Sequence, residues 1–430
     1  MINTFINFLY THTPLLYLTQ SLWRDEAFSV WIAKDSLIDV ISRTSGDFNP
    51  PFYYLLLNIW IYVFGKNEII LRSLSLIFHF CLVFVMYQLA KKLVSQKTIP
   101  LFVALLTLFN PMLLYFGMEL RMYSLLAFLS TLSMLAFVTK RWKLYVVITA
   151  LGLYTQPYML FVLLAQNLYL WRTKNLSQAI KNSVLVGLLF APWLPVLLGQ
   201  FAHSGPMWIY PVDATLVTSV LANLYIGYEG SPGYLWPIMQ LLSLGFAITM
   251  LLLWKKKPTK YYFLLLLWIF VPLSLVLGIS FIKPLYVARY VIMVTPALIL
   301  VLTLAVKELL PKKMHVLGLC IILMCTIAVN FWNPRYKTKV DIRSTFTTIN
   351  SMVGANDIIA AETPLVYYES IYYAKPNTPV RLYNPQSITP PRYVGSVGMP
   401  ESVWLTQFPA YPARAYLIHE DGTVTIHSRL

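Results

Sequence analysis

Five short stretches carry polar groups able to do chemistry, in a chain that is otherwise apolar. They are Trp23-Arg24-Asp25-Glu26-Ala27, Asp47-Phe48-Asn49-Pro50-Pro51-Phe52-Tyr53-Tyr54, Glu119-Leu120-Arg121-Met122-Tyr123, Tyr154-Thr155-Gln156-Pro157-Tyr158 and Lys283-Pro284-Leu285-Tyr286-Val287-Ala288-Arg289-Tyr290. A carboxylate such as Asp25, Glu26 or Glu119 can accept a proton from an attacking hydroxyl. Arginines such as Arg121 and Arg289 can hold a phosphate and stabilise it as it leaves. An acidic set of Asp25, Glu26, Asp47 and Glu119 could hold a hard divalent ion, with Asp25 and Glu119 as its first ligands. The same groups could work without metal, with Arg121 as the charge partner.

Each stretch also has a structural reading. Asp25 can be a helix cap. Arg121 and Arg289 can be snorkelling anchors at a membrane surface, and tyrosines near span ends are common interface residues. Pro50-Pro51 can be a rigid turn into a helix. Glu119 fits such a reading least well, because a carboxylate at the end of a span is costly unless paired or hydrated.

The elements that must position these groups are membrane helices. Of 430 residues, 58% are hydrophobic and only 12% charged, with a mean hydropathy of +0.64. A soluble fold could not cover so much apolar surface. The net charge of +16 falls in short clusters between apolar runs, which is a topology signal and not a nucleic-acid surface. Cys81, Cys320 and Cys325 lie inside apolar runs without metal-ligand spacing, so they read as small buried residues. Met1–Leu18 lacks the basic start and small-residue site of a cleavable signal peptide.

Runs near 72–90, 99–116, 123–139, 144–157, 158–171, 183–200, 234–253, 261–281, 287–306 and 314–332 are candidate spans, with 2–20 as a weaker one. Lysines and arginines follow alternate runs: Lys91, Lys92 and Lys97; Lys140, Arg141 and Lys143; Arg172, Lys174 and Lys181; Lys255, Lys256, Lys257 and Lys260; Lys307, Lys312 and Lys313. The positive-inside rule places these five loops in the cytoplasm. About eleven spans result, with the N-terminus inside and the C-terminus outside. Residues 18–71 then form one long outer loop, in which 26–34 and 36–45 read as short amphipathic helices. Asp25 and Ser36 can be their N-caps. Pro51–Gly65 reads as an interfacial helix, too short to span.

From Asn333 onwards prolines and polar residues return. The pattern predicts a helix over 341–353, strands at 358–361, 380–383 and 403–408, and a hairpin over 415–427 around Asp421-Gly422. The fold class is thus an all-α polytopic membrane domain (1–332) with a small C-terminal α/β extracytoplasmic domain (333–430). All five polar stretches fall on the outer side, although lysines elsewhere assigned the topology. Their chemistry suits sugar transfer from a lipid phosphate at the membrane surface, where a lipid donor and a polar acceptor meet. A transporter or lipid flippase is the alternative, but it calls for broken helices at the midplane and a repeat of the chain's halves. Neither is visible.

The order of motifs resembles the bacterial glycosyltransferase family 39 proteins, and with them the protein O-mannosyltransferases and the lipid A aminoarabinose transferase. The motifs are W-x-D-E-A-x-S (Trp23 to Ser29), D-x-x-P-P-x-Y-Y (Asp47 to Tyr54), G-x-x-E-x-x-x-R-S-x-S (Gly65 to Ser75), E-x-R-M-Y-S (Glu119 to Ser124), A-P-W-L-P (Ala191 to Pro195) and A-R-Y with a proline six residues on (Ala288 to Pro296). The resemblance covers about residues 20 to 300. It implies a GT-C fold in the cell membrane and an inverting transfer of a sugar, such as mannose, from a polyprenyl-phosphate carrier to a lipid, glycan or protein acceptor. On this resemblance Asp25 matches the catalytic aspartate, with Glu26 beside it. Glu119 matches the acidic residue of the second outer loop, which positions acceptor or metal. Arg121 and Arg289 match phosphate-linked positions; Asp47, Tyr53, Arg72, Tyr123 and Tyr290 lie in the matching motifs and, with Gln156 after Tyr154-Thr155, are the candidate substrate-binding residues. Two positions depart from the pattern: Asn49 and Gln156 stand where relatives often carry histidine.

The topology is checked by cysteine labelling from outside the cell in a cysteine-free background. Gly422→Cys should react and Lys256→Cys should not; the reverse result overturns the assignment of the five stretches to the outer side.

Overall fold

Large apolar side chains that point outward along whole helices need a lipid environment. Leu241 and Leu251, on one such helix, are 69% and 68% exposed. The computed structural model describes residues 8–202, 208–227 and 233–429. Among them, six helices are long and apolar enough to cross a membrane: Glu68–Leu93, Leu176–Ala202, Gly233–Lys256, Tyr262–Ser280, Ala288–Leu309 and Lys312–Arg335. Thr98–Phe109 and Pro111–Gly117 make a seventh candidate if their 57° bend lies within one span. The chain is therefore a multi-pass membrane protein.

The expected count of eleven is not established. Tyr123–Val138, Trp142–Thr155 and Met159–Arg172 have 16, 14 and 14 residues. At 1.5 Å per residue they reach only about 21–24 Å, short of a hydrocarbon core of about 30 Å. Part of the weak span at 2–20 lies outside the described residues; within it, Leu16–Thr19 is a single helical turn. One helix the sequence did not suggest is Ala214–Ile226. Asp213 caps its start, accepting from the Leu216 N–H at 2.7 Å, and Gly227 ends it in the left-handed conformation.

By packing, the chain falls into two compact units. One comprises Met1–Leu18, Arg72–Leu194 and Ile209–Lys337; the other comprises Thr19–Leu71, Pro195–Trp208 and Thr338–Leu430. This division follows a different line from the sequence boundary at 332, since the long loop groups with the C-terminal segment.

The first unit is helical, and Ala288–Leu309 is its interior element. Its apolar window is 83% buried, against 17% for Gly233–Lys256. The bend before Pro111 has a local cause. Proline cannot donate to the preceding turn, and Asn110 caps the new helix by accepting from the Leu113 N–H at 3.0 Å. The Asn110 amide also donates to the Tyr225 carbonyl at 2.9 Å. Cys81 and Cys320 are half-buried and Cys325 is exposed, and all three are free. This corrects the expectation of burial: a membrane helix presents apolar residues to lipid as well as inward.

The second unit joins the helices Arg24–Ala33, Leu37–Gly46 and Phe52–Phe64 to a five-stranded sheet. The strands are β1 (Ile358–Ala361), β2 (Val380–Tyr383), β3 (Trp404–Leu405), β4 (Ala415–Ile418) and β5 (Val424–His427), in the order β3-β2-β1-β4-β5. The pairs β3–β2, β2–β1 and β1–β4 are parallel, and β4–β5 is antiparallel. Helix Ile342–Met352 lays Ile342, Phe346 and Ile349 on one face, in a core shared with Val353, Ile359, Tyr416 and Ile418. The expected hairpin forms, with Gly422 at φ +83° and the Thr423 N–H bonded to the Asp421 carboxylate at 2.9 Å. Because Gly422 needs that conformation, Glu420, exposed on the same turn, is the better labelling position. Helix Pro364–Tyr373, capped by Thr363, was not expected. It packs on Arg24–Ala33, with the Tyr368 ring 4.8 Å from Phe28 and 5.4 Å from Trp31.

Segment 395–398 closes over these rings without room for a side chain. A Cβ at Gly398 would lie 2.5 Å from the Tyr368 hydroxyl and 2.7 Å from the Trp31 ring. Gly398→Ala should therefore lower stability by about 1–3 kcal/mol, as overpacking does. Thermal unfolding of the purified variant checks this.

Candidate functional site

The acidic pair sits in the first turn of the helix Arg24–Ala33, with Trp23 at the N-cap position. This corrects the expectation that Asp25 is itself the cap; Ser36 does cap the next helix, accepting from the Asp39 N–H at 3.2 Å. The positive end of the helix dipole favours carboxylates in the first turn. At the other end, Arg43 Nη1 donates to the Trp31 and Lys34 carbonyls, both at 2.9 Å. The Asn58 amide donates to the Ala33 carbonyl at 2.7 Å.

The two carboxylates have different surroundings. Glu26 is fully buried, and its Oε2 accepts from Lys339 Nζ at 2.9 Å and from the Trp23 N–H at 3.4 Å. Asp25 keeps 15% of its side chain exposed and accepts from Arg24 Nε at 3.0 Å. Of the pair, Asp25 is the accessible carboxylate, whereas Glu26 is part of a buried ion pair. Asp47 caps the C-terminal end of helix Leu37–Gly46 through its backbone N–H. Its carboxylate accepts from the Asn49 amide at 3.0 Å. Tyr53 is fully buried, edge-on to Tyr54 at 5.7 Å.

Two groups here escaped the sequence reading. Lys339 looks like an ordinary basic residue following a span. Glu369 is a lone carboxylate in the tyrosine-rich run Tyr367-Tyr368-Glu369-Ser370-Ile371-Tyr372-Tyr373. In the structure it is 8% exposed, and burial pushes its carboxyl up to about 8. The Arg24 guanidinium and the Arg24 N–H pull it down in part, and the charges of Asp25 and Glu26 raise it further. Only the capping signal of Thr363-Pro364 could have placed Glu369 on a helix.

The second set of expected residues lies in the helical unit. Tyr123 opens the helix Tyr123–Val138, and its hydroxyl accepts from Arg289 Nε at 3.0 Å. The Arg289 guanidinium is 5.9 Å from the Tyr123 ring centre and 5.7 Å from that of Tyr290. The Arg121 guanidinium is also 5.9 Å from the Tyr123 ring, so two cations share one aromatic face region. Tyr158 stands 5.7 Å from Tyr290 and donates to the Leu285 carbonyl at 2.8 Å. The Gln156 side chain accepts from the Tyr158 N–H at 2.7 Å, bracing that turn. Both arginines and Glu119 are buried. Arg72, fully buried, donates to the Leu18 carbonyl at 2.9 Å; that bond ties two segments together. Lys337, 4.0 Å from the Tyr115 ring centre, is a further buried cation missed in the sequence.

The arrangement thus offers an accessible carboxylate beside a guanidinium in one unit, and a buried two-arginine, three-tyrosine cluster in the other. Among the described residues, no three of His, Cys, Asp and Glu are grouped to hold a metal ion. The divalent-ion site suggested by Asp25 and Glu119 therefore gains no support, and Glu26, which the sequence counted with them, is engaged by Lys339.

No family model matches the chain, and no curated protein matches it in sequence. Its fold is similar to two crystal structures of ArnT from Cupriavidus metallidurans. The apo state is 12% identical with a TM-score of 0.62, covering 97% of this chain and 92% of that one. The state bound to undecaprenyl phosphate is 13% identical with a TM-score of 0.57, covering 97% and 93%. The helical membrane fold with a small C-terminal sheet is shared along nearly the whole length.

Lys339→Ala would leave the Glu26 carboxylate buried beside no cation at that position, which costs about 3–5 kcal/mol in comparable buried pairs. Lys339→Ala should lower the unfolding midpoint strongly, and the double variant Lys339→Met/Glu26→Gln should recover most of the loss.

Proposed function

We propose that this chain is an inverting glycosyltransferase of the GT-C type, moving a sugar from a polyprenyl-phosphate carrier to an acceptor hydroxyl on the outer face of the membrane. The observation that carries this reading is fold similarity over 97% of the chain to ArnT in its undecaprenyl-phosphate-bound state. It is supported by the pair Arg121 and Arg289 at the Tyr123 ring and by the accessible carboxylate of Asp25. Mannose is the sugar suggested by the motif resemblance. The lysine alternation supports an extracytoplasmic C-terminal segment.

In this reading the acceptor hydroxyl attacks the anomeric carbon as the bond from that carbon to the phosphate oxygen breaks. The hydroxyl proton passes to Asp25, and the lipid phosphate leaves with the bonding pair. Asp25 suits the base because it remains accessible, whereas Glu26 is held by Lys339. Arg289 suits the phosphate because its planar fork can hold two oxygens, which lysine cannot copy. The tyrosines set the guanidinium's plane and offer faces to the isoprenoid.

The test is a transfer and hydrolysis assay with purified protein and polyprenyl-phosphate sugars, together with mass spectrometry of co-purified lipids. Arg289→Lys should raise the apparent donor KM roughly tenfold, the scale of one lost charged hydrogen bond. A donor KM equal to wild type would make Arg289 a membrane anchor only. Absence of turnover and of any bound polyprenyl phosphate would remove the transferase reading.

A further inference from the structure

Glu369 lies far along the chain from the acidic pair, yet Arg24, Asp25 and Glu26 all act on its carboxyl. Helix Pro364–Tyr373 reaches them because it packs against Arg24–Ala33. The packing is specific: Tyr368 is wedged between Phe28 and Trp31 and donates to the Gly395 carbonyl. One turn on, the Tyr373 hydroxyl accepts from the Leu22 N–H at 2.7 Å, fixing the chain that leads into the acidic helix. Arg24 is thus a neighbour of two carboxyls. Its Nε holds Asp25 at 3.0 Å, and its guanidinium and N–H are also the groups that favour Glu369 as an anion.

We propose that Glu369 is a positioning residue for Asp25: through Arg24, the C-terminal segment sets the orientation of the carboxylate that takes the acceptor's proton. The role assigned to Asp25 rests on the transferase reading; the coupling of Glu369 to the acidic helix does not. The other elements packed on the Glu369 helix offer it no rival partner among the described residues. Strand β1 (Ile-Ile-Ala-Ala) carries no ionisable side chain, Arg381 of β2 acts on Tyr367, and Arg343 of Ile342–Met352 is paired with Glu68. An arginine with only Asp25 beside it would keep several rotamers. A second carboxyl beside it restricts them, and with them the direction of the Asp25 oxygens.

Two measurements on the full-length protein test this. The first is kinetic. Glu369→Ala should lower kcat about tenfold or more, because small misplacements of a reacting group are costly, with donor KM unchanged. Glu369→Gln, which keeps the shape and a carbonyl oxygen, should recover most of the rate. In an Arg24→Ala background, where the guanidinium is gone and only the backbone N–H at position 24 still reaches Glu369, Glu369→Ala should cost several-fold less than it does in the wild type. A purely structural Glu369 would give an additive loss and a lowered unfolding midpoint in both backgrounds, and that result overturns the proposal. The second measurement needs no turnover: amide exchange across the first turns of Arg24–Ala33 should quicken in Glu369→Ala while strands β1 and β4 stay protected. Unchanged exchange in that peptide also overturns the proposal. A wild type without transferase activity but with the exchange effect would remove the Asp25 chemistry and leave the coupling standing.

Discussion

A carboxylate taken wholly out of water must find a cation, and in this protein Glu26 finds Lys339 at 2.9 Å. Much of the second unit depends on that pairing. Glu26 sits in the first turn of the acidic helix, while Lys339 leads into the C-terminal segment more than three hundred residues later. Neighbouring bonds run the same way: Ser21 to Asp341 at 2.7 Å, the Lys339 N–H to Gln20 at 2.6 Å, and Arg343 to Glu68. Losing Lys339 would leave the Glu26 carboxylate buried without that cation, a costly loss in comparable buried pairs.

The same constraint separates the roles of two adjacent carboxylates. Asp25 and Glu26 are indistinguishable by type and differ by one position, which on a helix is a rotation of about 100°. That rotation turns Glu26 towards Lys339 and leaves Asp25 towards Arg24 and partial exposure. Glu26 is wholly buried and held in an ion pair with Lys339. Asp25 keeps part of its carboxylate exposed beside Arg24, which is what suits it to the base's role in the proposed reaction.

In the helical unit the constraint acts on cations. Arg121, Arg289, Arg72 and Lys337 are all buried, and aromatic rings and backbone carbonyls surround them in place of water. Tyr123 meets two guanidiniums, Tyr115 meets Lys337, and the Leu18 carbonyl meets Arg72. In the proposed reaction such a site would stabilise the lipid phosphate because its donors are ordered before the anion arrives.

Much of this was legible in the sequence. Hydropathy marked the membrane class and most of the helices, because lipid selects apolar side chains by type alone. Asp421-Gly422 marked the hairpin, because that turn requires a positive φ. Motif order singled out Asp25, Arg121, Tyr123 and Arg289, whose roles belong to the proposed reaction. The span count was not legible, since an apolar run does not reveal whether 14 residues suffice to cross. Nor was helix Pro364–Tyr373, whose tyrosines carry weak helix propensity and form a helix here through packing on Phe28 and Trp31. Glu369 and Lys339 were invisible for the same reason: their partners are contacts between segments distant in the chain, and no local pattern encodes them. The sequence determined which residues could be charged, apolar or turn-forming; the tertiary structure alone decided which charges meet, and so which of two neighbouring carboxylates is buried against a lysine and which keeps partial exposure.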